Sequence, residues 1–255
     1  MAEPTPDLAL QQRVLALEAE LAASRAALQE FTYAVSHDLR APLRHLVSFS
    51  QLLEEEAGAQ LQGDSAEFVR TIRTSARHMG ELLDALTGLS RIEALPVHME
   101  PVALEPLLRE CWAGVQATEP LGEVQLEWQV PEALTVSTDR HLLRQAAQEL
   151  LGNALKFSAL AQPARIQVTV SAEPGDDIVC RIADNGAGFN PAMHSKLFKV
   201  FGRLHTTRQF PGLGVGLLTA RRLLAKTGAR LTLDATPPSG AVAEIKFPRA
   251  TKNPA

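Results

Sequence analysis

The stretch Ser36-His37-Asp38-Leu39-Arg40-Ala41-Pro42-Leu43 places an imidazole beside a carboxylate within a strongly helical run. Imidazole is a nucleophile only when one ring nitrogen lacks its proton, and a neighbouring carboxylate that orients the other proton favours that form. Pro42 cannot donate to the carbonyl of residue 38 and crowds that turn, so the helix is expected to bend just past the histidine. A proline inside a helix costs about 3 kcal/mol, which asks for a reason. Two readings stand on these residues alone: a nucleophilic His37 assisted by Asp38, or a surface histidine beside an incidental kink.

A second cluster is Glu149-Leu150-Leu151-Gly152-Asn153-Ala154-Leu155-Lys156-Phe157. At 100° per residue Glu149, Asn153 and Lys156 share one stripe, flanked by Leu142, Ala146, Leu150 and Phe157. Polar groups at the edge of a buried face need partners. A hard cation with a phosphate chain satisfies all three: oxygens of Asn153 and Glu149 suit Mg2+, and Lys156 suits phosphate. The plainer alternative is a solvated helix rim.

Two glycine turns follow. Asp184-Asn185-Gly186-Ala187-Gly188-Phe189 comes directly after an apolar strand-like run. Its acidic residue can accept from an exocyclic amine such as that of adenine, although such a turn is often only a turn. Gly212-Leu213-Gly214-Val215-Gly216-Leu217 opens a helix, where free amides and the helix dipole attract phosphate. It matches neither the P-loop spacing nor the position of a Rossmann fingerprint.

These clusters need elements to hold them. Leu10, Leu17, Ser24 and Phe31 recur every seven residues, as do Val14, Leu21, Leu28 and Val35, offset by four. They read as a and d positions of a coiled coil, or as the apolar face of a helix packed on its own protein. The helix is expected to reach Glu56 and to break over Ala57 to Gly63. Asp64 and Glu67 resemble a capping box for a second helix ending near Glu93. One hairpin holds too little core to stand alone, so pairing with a second copy as a four-helix bundle is expected. Pro96, Pro101 and Pro106 mark a linker. Beyond it strand-like runs (124–130, 165–170, 178–183, 231–233, 243–247) alternate with helix-like ones (139–157, 215–226), which predicts a two-layer α/β sandwich.

Composition narrows the function classes. A net charge of −4 gives no electrostatic reason for nucleic-acid or anionic-membrane binding. Cys111 and Cys180 have no metal-binding or redox spacing and read as buried, reduced thiols, which fits a cytoplasmic protein. No apolar run approaches the roughly 20 residues of a membrane span, and no signal peptide is apparent.

Taken together and in this order, the clusters resemble those of the sensor histidine kinases of two-component systems. The resemblance implies a helical hairpin forming a dimeric four-helix bundle, followed by a Bergerat-type ATPase fold. It covers about Leu8 to Phe247. It divides the chain into an N-terminal signalling helix (1–30), a dimerisation and phosphotransfer domain (31–95), a linker (96–103) and an ATP-binding domain (104–250). It implies ATP-dependent phosphorylation of His37, with Asp38 as its acidic helper, and transfer to an aspartate on the receiver domain of a response regulator. Glu149 and Asn153 correspond to the catalytic and Mg2+-binding positions, and Lys156 lies near the phosphates. Asp184, Gly186 and Gly188 fall where the family reads adenine. Leu197 to Phe201, with Phe198 at its centre, is similar to the F box, and Gly212, Gly214, Gly216 and Leu217 to the second glycine box. Phe31 to Ser36 and Phe201 to His205 look closest to the phytochrome-linked group.

Ala41 stands where many relatives carry Thr or Asn, which puts phosphatase activity in doubt. The segment between Phe201 and Gly212 implies a compact lid, in which Arg203, His205 and Arg208 either touch phosphate or keep the loop solvated, at least one doing the latter. No sensor domain is expected before residue 8, so input should reach the N-terminal helix from a separate sensor protein, unless the chain is part of something larger. The alternatives are another ATPase of the superfamily, which would lack the histidine on a hairpin, and a scaffold that no longer turns over ATP.

Overall fold

The computed structural model describes residues 6–58, 60–61, 63–118, 124–173, 177–235 and 240–248, with side chains from residue 10 onward. The expected domain ends at residues 1 and 250, and residues 59 and 62 of the expected helix break, lie outside these. Contacts divide the chain after Arg91 into two compact units.

The first unit is two helices, α1 (Pro6–Ala57) and α2 (Asp64–Ile92). Helix α1 runs unbroken through Pro42. Asp64 and Glu67 sit in the first turn of α2, where carboxylates oppose the positive helix end. Three side-chain ties give the sense of pairing: Gln29 Nε2 donates to the carbonyl of Ser90, Arg40 to Asp84, and Arg73 to Glu54. As one partner's number rises the other's falls, so the helices are antiparallel. The seam buries the polar Ser36, Ser50 and Thr87 as well as Val69 and Ala76. Large apolar side chains lie instead on the open face: Leu28 is 66% exposed, Phe31 66%, Phe49 67% and Phe68 63%. The heptad residues Leu10, Val14, Leu17, Leu21 and Val35 are exposed with them. An apolar stripe left bare along a helical hairpin is what an oligomeric bundle buries.

The second unit begins where a linker was expected. Glu100–Ala103 form β1, which pairs antiparallel with β3 (Thr135–Thr138), and α3 (Leu104–Thr118) follows at once. The 96–103 linker therefore holds a strand, and the backbone N–H of His98 is already tied to Asp139 Oδ2 at 2.8 Å. The main sheet has five strands in the order β2-β4-β5-β7-β6, namely Val124–Gln129, Ala164–Ala172, Ile178–Asp184, Ala241–Phe247 and Arg230–Ala235. Only β2 and β4 are parallel. Helices α4 (Arg140–Ser158) and α5 (Gly216–Lys226) pack on the sheet, with α3 against α4. Alternation in β4 sends Ile166, Val168 and Val170 inward, where they share a core with Cys180, Ile182, Ile245, Leu151, Leu155 and Leu223. Helix α4 starts sharply because the Asp139 carboxylate accepts from the backbone N–H groups of His141 (2.9 Å) and Leu142 (3.0 Å). Burial pushes that carboxyl up, but the N–H groups of His98, Leu142 and His141 outweigh it and hold it below its ordinary value.

Candidate nucleotide site and phosphoacceptor histidine

On α1, His37 Nδ1 lies 3.2 Å from Asp38 Oδ1. An ionised carboxylate only accepts, so this contact puts the ring proton on Nδ1 and leaves the Nε2 lone pair available. Both side chains are open to solvent, His37 at 69% and Asp38 at 82%. Tyr33, one turn earlier, stacks on the histidine ring with centroids 6.4 Å apart. The residue before His37 is the reverse: Ser36 is buried in the seam, and its Oγ has no partner among the described residues.

In the second unit a cavity of about 320 Å³ lies between the sheet, α4 and the segment leading into α5. Ile182, Leu233 and Ala243 supply its apolar floor from three strands. Glu149, Leu150, Asn153, Ala154, Lys156 and Phe157 line it from α4. The helical stripe read from spacing thus faces a hollow and is not a solvated rim. Lys156 Nζ donates to Asn153 Oδ1 at 3.1 Å and lies 4.6 Å from the centre of the Phe157 ring. Burial raises the Glu149 carboxyl, and the Lys156 ammonium pulls it part of the way back. Glu149, Asn153 and Lys156 also line an adjoining hollow of about 300 Å³ beside Gly114, Val115 and Thr118 of α3, so this end of the cavity opens outward.

Asp184 closes the other side from the end of β5. Its carboxyl is pushed up to about 6 by burial, against the lowering pull of the Gly186 and Ala241 N–H groups. Gly186 donates to Asp184 Oδ1 at 2.8 Å. It does not line the cavity: a side chain there would overlap the carbonyl of Phe157 and the Asp184 carboxylate. It is set back from the cavity wall and holds the Asp184 carboxylate through that hydrogen bond. Gly188 does line the cavity.

Gly212, Gly214, Gly216 and Leu217 line the cavity from the segment that leads into α5 and from its first turn. Gly214 has φ +75°, and a Cβ there would press on the carbonyl of Gly202 and the Arg203 side chain. At Gly216, the first residue of α5, a Cβ would collide with the Glu149 carboxylate. Phe198, like Gly186, is not among the residues that line the cavity. It lies off the cavity with the Arg221 guanidinium 4.1 Å above its ring, and Leu197 lines the wall in its stead. In the lid, Arg203 and His205 line the cavity while Arg208 is exposed away from it. Sequence reasoning passed over Phe210, a buried lid residue whose ring meets Phe157 edge to face at 5.0 Å. Its only signal was an apolar ring in a polar loop.

Two oxygen donors, Glu149 and Asn153, next to an ammonium are too few to cage a cation, and no cluster of three His, Cys, Asp or Glu occurs among the described residues. They do fit Mg2+ whose remaining ligands come from a nucleotide's phosphates.

A cavity with a buried acid at one end, an Asn-Lys pair at the other and glycines at a helix start defines an ATP-binding domain. Residues 138–251 match the family described as histidine kinase-, DNA gyrase B-, and HSP90-like ATPase, and residues 27–95 match the His Kinase A phospho-acceptor domain. The chain thus carries a histidine-kinase phospho-acceptor domain followed by an ATPase domain of the histidine kinase type. It is 30% identical to the circadian input-output histidine kinase CikA of Synechococcus elongatus, over 95% of this chain and 34% of that one. Cyanobacterial phytochrome A of Nostoc is 28% identical, over 90% of this chain and 29% of that one. Among solved structures, full-length ShkA in complex with AMPPNP aligns with a TM-score of 0.59 and 25% identity, over 86% of this chain and 45% of that one. The chain thus spans about a third of the length of the curated relatives it matches. No helix among the described residues is long and apolar enough to cross a membrane.

Proposed function

We propose that this chain is the kinase core of a two-component signalling protein, phosphorylating its own His37 from ATP and passing the phosphoryl group to an aspartate on the receiver domain of a response regulator. The observation that carries this is the cavity. Asn153, Lys156, Asp184 and the glycines of residues 212–216, read separately along the chain, converge on one hollow of about 320 Å³, while the chain also presents an exposed histidine oriented by a carboxylate.

In this reading Asp184 and Gly188 hold the base, and Lys156 and the amides at the start of α5 hold the phosphates. Asn153 and Glu149 would hold Mg2+, which would supply charge neutralisation at the phosphates. His37 Nε2 attacks the γ-phosphorus in line. An N–P bond forms as the bond to the β,γ-bridging oxygen breaks, and ADP leaves. Asp38 holds the Nδ1 proton and stabilises the charge the ring acquires. Catalysis by this chain's residues is positioning and electrostatics.

The proposed organisation is a signalling helix over 1–30, a phosphotransfer hairpin over 31–95 and an ATP-binding domain over 104–250, working in the cytoplasm as a homodimer through the hairpin. A separate sensor protein or further domain acts along α1, and neither nucleic acid nor membrane insertion takes part. The bare apolar stripe of α1 and α2 supports the dimer. Ala41 gives no side-chain amide or hydroxyl one turn beyond His37, so phosphatase activity is not proposed. The test is labelling with γ-labelled ATP. The wild-type protein should acquire acid-labile, base-stable label, and His37→Gln should lose it while binding ADP unchanged. Label of the same kind on the variant removes His37 from the mechanism.

A further inference from the structure

The lid makes a polar contact that phosphate binding does not explain. His205 Nε2 lies 2.9 Å from the carbonyl oxygen of Gly188. A carbonyl only accepts, so Nε2 carries the proton and donates it. The imidazole also packs against two rings from separate segments, Phe157 of α4 with centroids 5.6 Å apart and Phe210 of the lid at 5.2 Å. Arg203 Nη2 donates to the Phe210 carbonyl at 2.6 Å, which closes the lid on itself. The lid is thereby fastened to the turn that follows Asp184, the acid proposed to read the base.

With Nε2 donating to Gly188, a neutral His205 keeps only an acceptor, at Nδ1. Phosphate oxygens are acceptors too, so that nitrogen has nothing to give them. A nucleoside carries hydroxyl and exocyclic-amine donors, and its base offers faces for the Phe157, His205 and Phe210 rings. Of the two roles open to His205 from sequence, touching phosphate or solvating the loop, neither matches a half-buried ring bound to a main-chain carbonyl and two phenyl groups.

We propose that His205 is a positioning residue for the nucleoside half of the ligand: a latch that holds the lid over base and ribose whatever the number of phosphates. This rests on the nucleotide reading of the cavity. One hydrogen bond and two ring contacts correspond to an effect on the order of tenfold in affinity, expressed mainly as faster release.

The test uses the full chain and titrates Mg-ADP and Mg-AMPPNP into wild type, His205→Ala and His205→Gln by calorimetry, with release rates from stopped flow. His205→Ala should weaken both ligands by the same factor, on the order of tenfold, through faster release. His205→Gln keeps an N–H at the position of Nε2 and should recover part of the loss. Melting curves without nucleotide establish that each variant is folded; should the alanine variant unfold, His205→Phe, which keeps the ring and removes the donor, takes its place. A loss confined to AMPPNP overturns the proposal in favour of a γ-phosphate contact. Unchanged affinity for both ligands, with wild type binding normally, overturns the latch alone. A wild-type protein that binds neither ligand overturns the nucleotide site and the latch with it.

Discussion

Replacing Asp184 by asparagine separates the nucleotide site's contribution to binding from its cost to the fold. Burial raises this carboxyl from its ordinary 3.8 to about 6, the largest influence on it, with the N–H groups of Gly186 and Ala241 acting in the opposite direction. The folded protein therefore holds the proton more tightly than the unfolded chain. As pH rises from 3.8 to about 6 the unfolded chain loses its proton first, so stability falls across that window, and above it the penalty is complete. At 1.36 kcal/mol for each tenfold change in proton affinity, the difference between 3.8 and about 6 amounts to about 3 kcal/mol. Asparagine carries no such charge, but it has one acceptor oxygen where the carboxylate serves two N–H groups, which returns about 1 kcal/mol. Asp184→Asn should therefore stabilise the nucleotide-free protein by about 1–2 kcal/mol at pH 8, a rise in melting temperature of roughly 3–6 °C for a domain of this size. The gain should shrink toward zero near pH 4, where the wild-type carboxyl is itself neutral. Losing a charged acceptor should weaken ADP on the order of 10–100-fold. Scanning calorimetry at pH 8, 6 and 4.5 reads the stability, and titration calorimetry the binding. A variant that melts at or below wild type at pH 8, or a gap that ignores pH, refutes burial as the cause of the raised carboxyl.

Gly216→Ala should cost at least tenfold in ADP affinity while shifting the melting temperature by no more than about 3 °C. Its methyl displaces the Glu149 carboxylate, but alanine itself suits a helix start; unchanged binding would show that Glu149 and the start of α5 do not need their close approach. Phe49→Glu, on the bare stripe, should shift the protein from dimer to monomer in light scattering. Each copy forfeits about 2–3 kcal/mol of apolar burial, twice over in a symmetric dimer. A variant that stays dimeric at micromolar concentration places the interface elsewhere.

Legibility followed the length of the elements. Heptads sustained from Leu10 to Val35 and the stripe of Glu149, Asn153 and Lys156 lie on helices of 52 and 19 residues, where periodicity accumulates evidence over many turns. The start of the second unit was hidden by Pro101 and Pro106, which together with Pro96 read as linker. Pro101 sits in β1, whose only partner among the described residues is β3, so its missing N–H breaks no ladder on the other side there. Pro106 lies in the first turn of α3, where no intrahelical donor is needed. Strands of four residues such as β1 and β3 offer too few alternations for a period to register.

The lid was illegible for a different reason, and the difference bears on mechanism. Residue type alone made Arg203, His205 and Arg208 equivalent candidates for phosphate. What separates them is tertiary: which carbonyl an N–H finds. Arg203 found Phe210, His205 found Gly188 and Arg208 found solvent. The same holds for Phe198, which the motif placed in the site but whose ring is covered by Arg221. The two lid pairings join residues 7 and 17 apart in the chain, and both are part-exposed, so they can open at little cost. A nucleotide site needs that property at its entrance. The α4 wall behind Asn153, built on Leu151 and Leu155 in the closed core, has to stay still while the lid moves, and this is why the wall could be read from a repeat while the lid could be read only from its contacts.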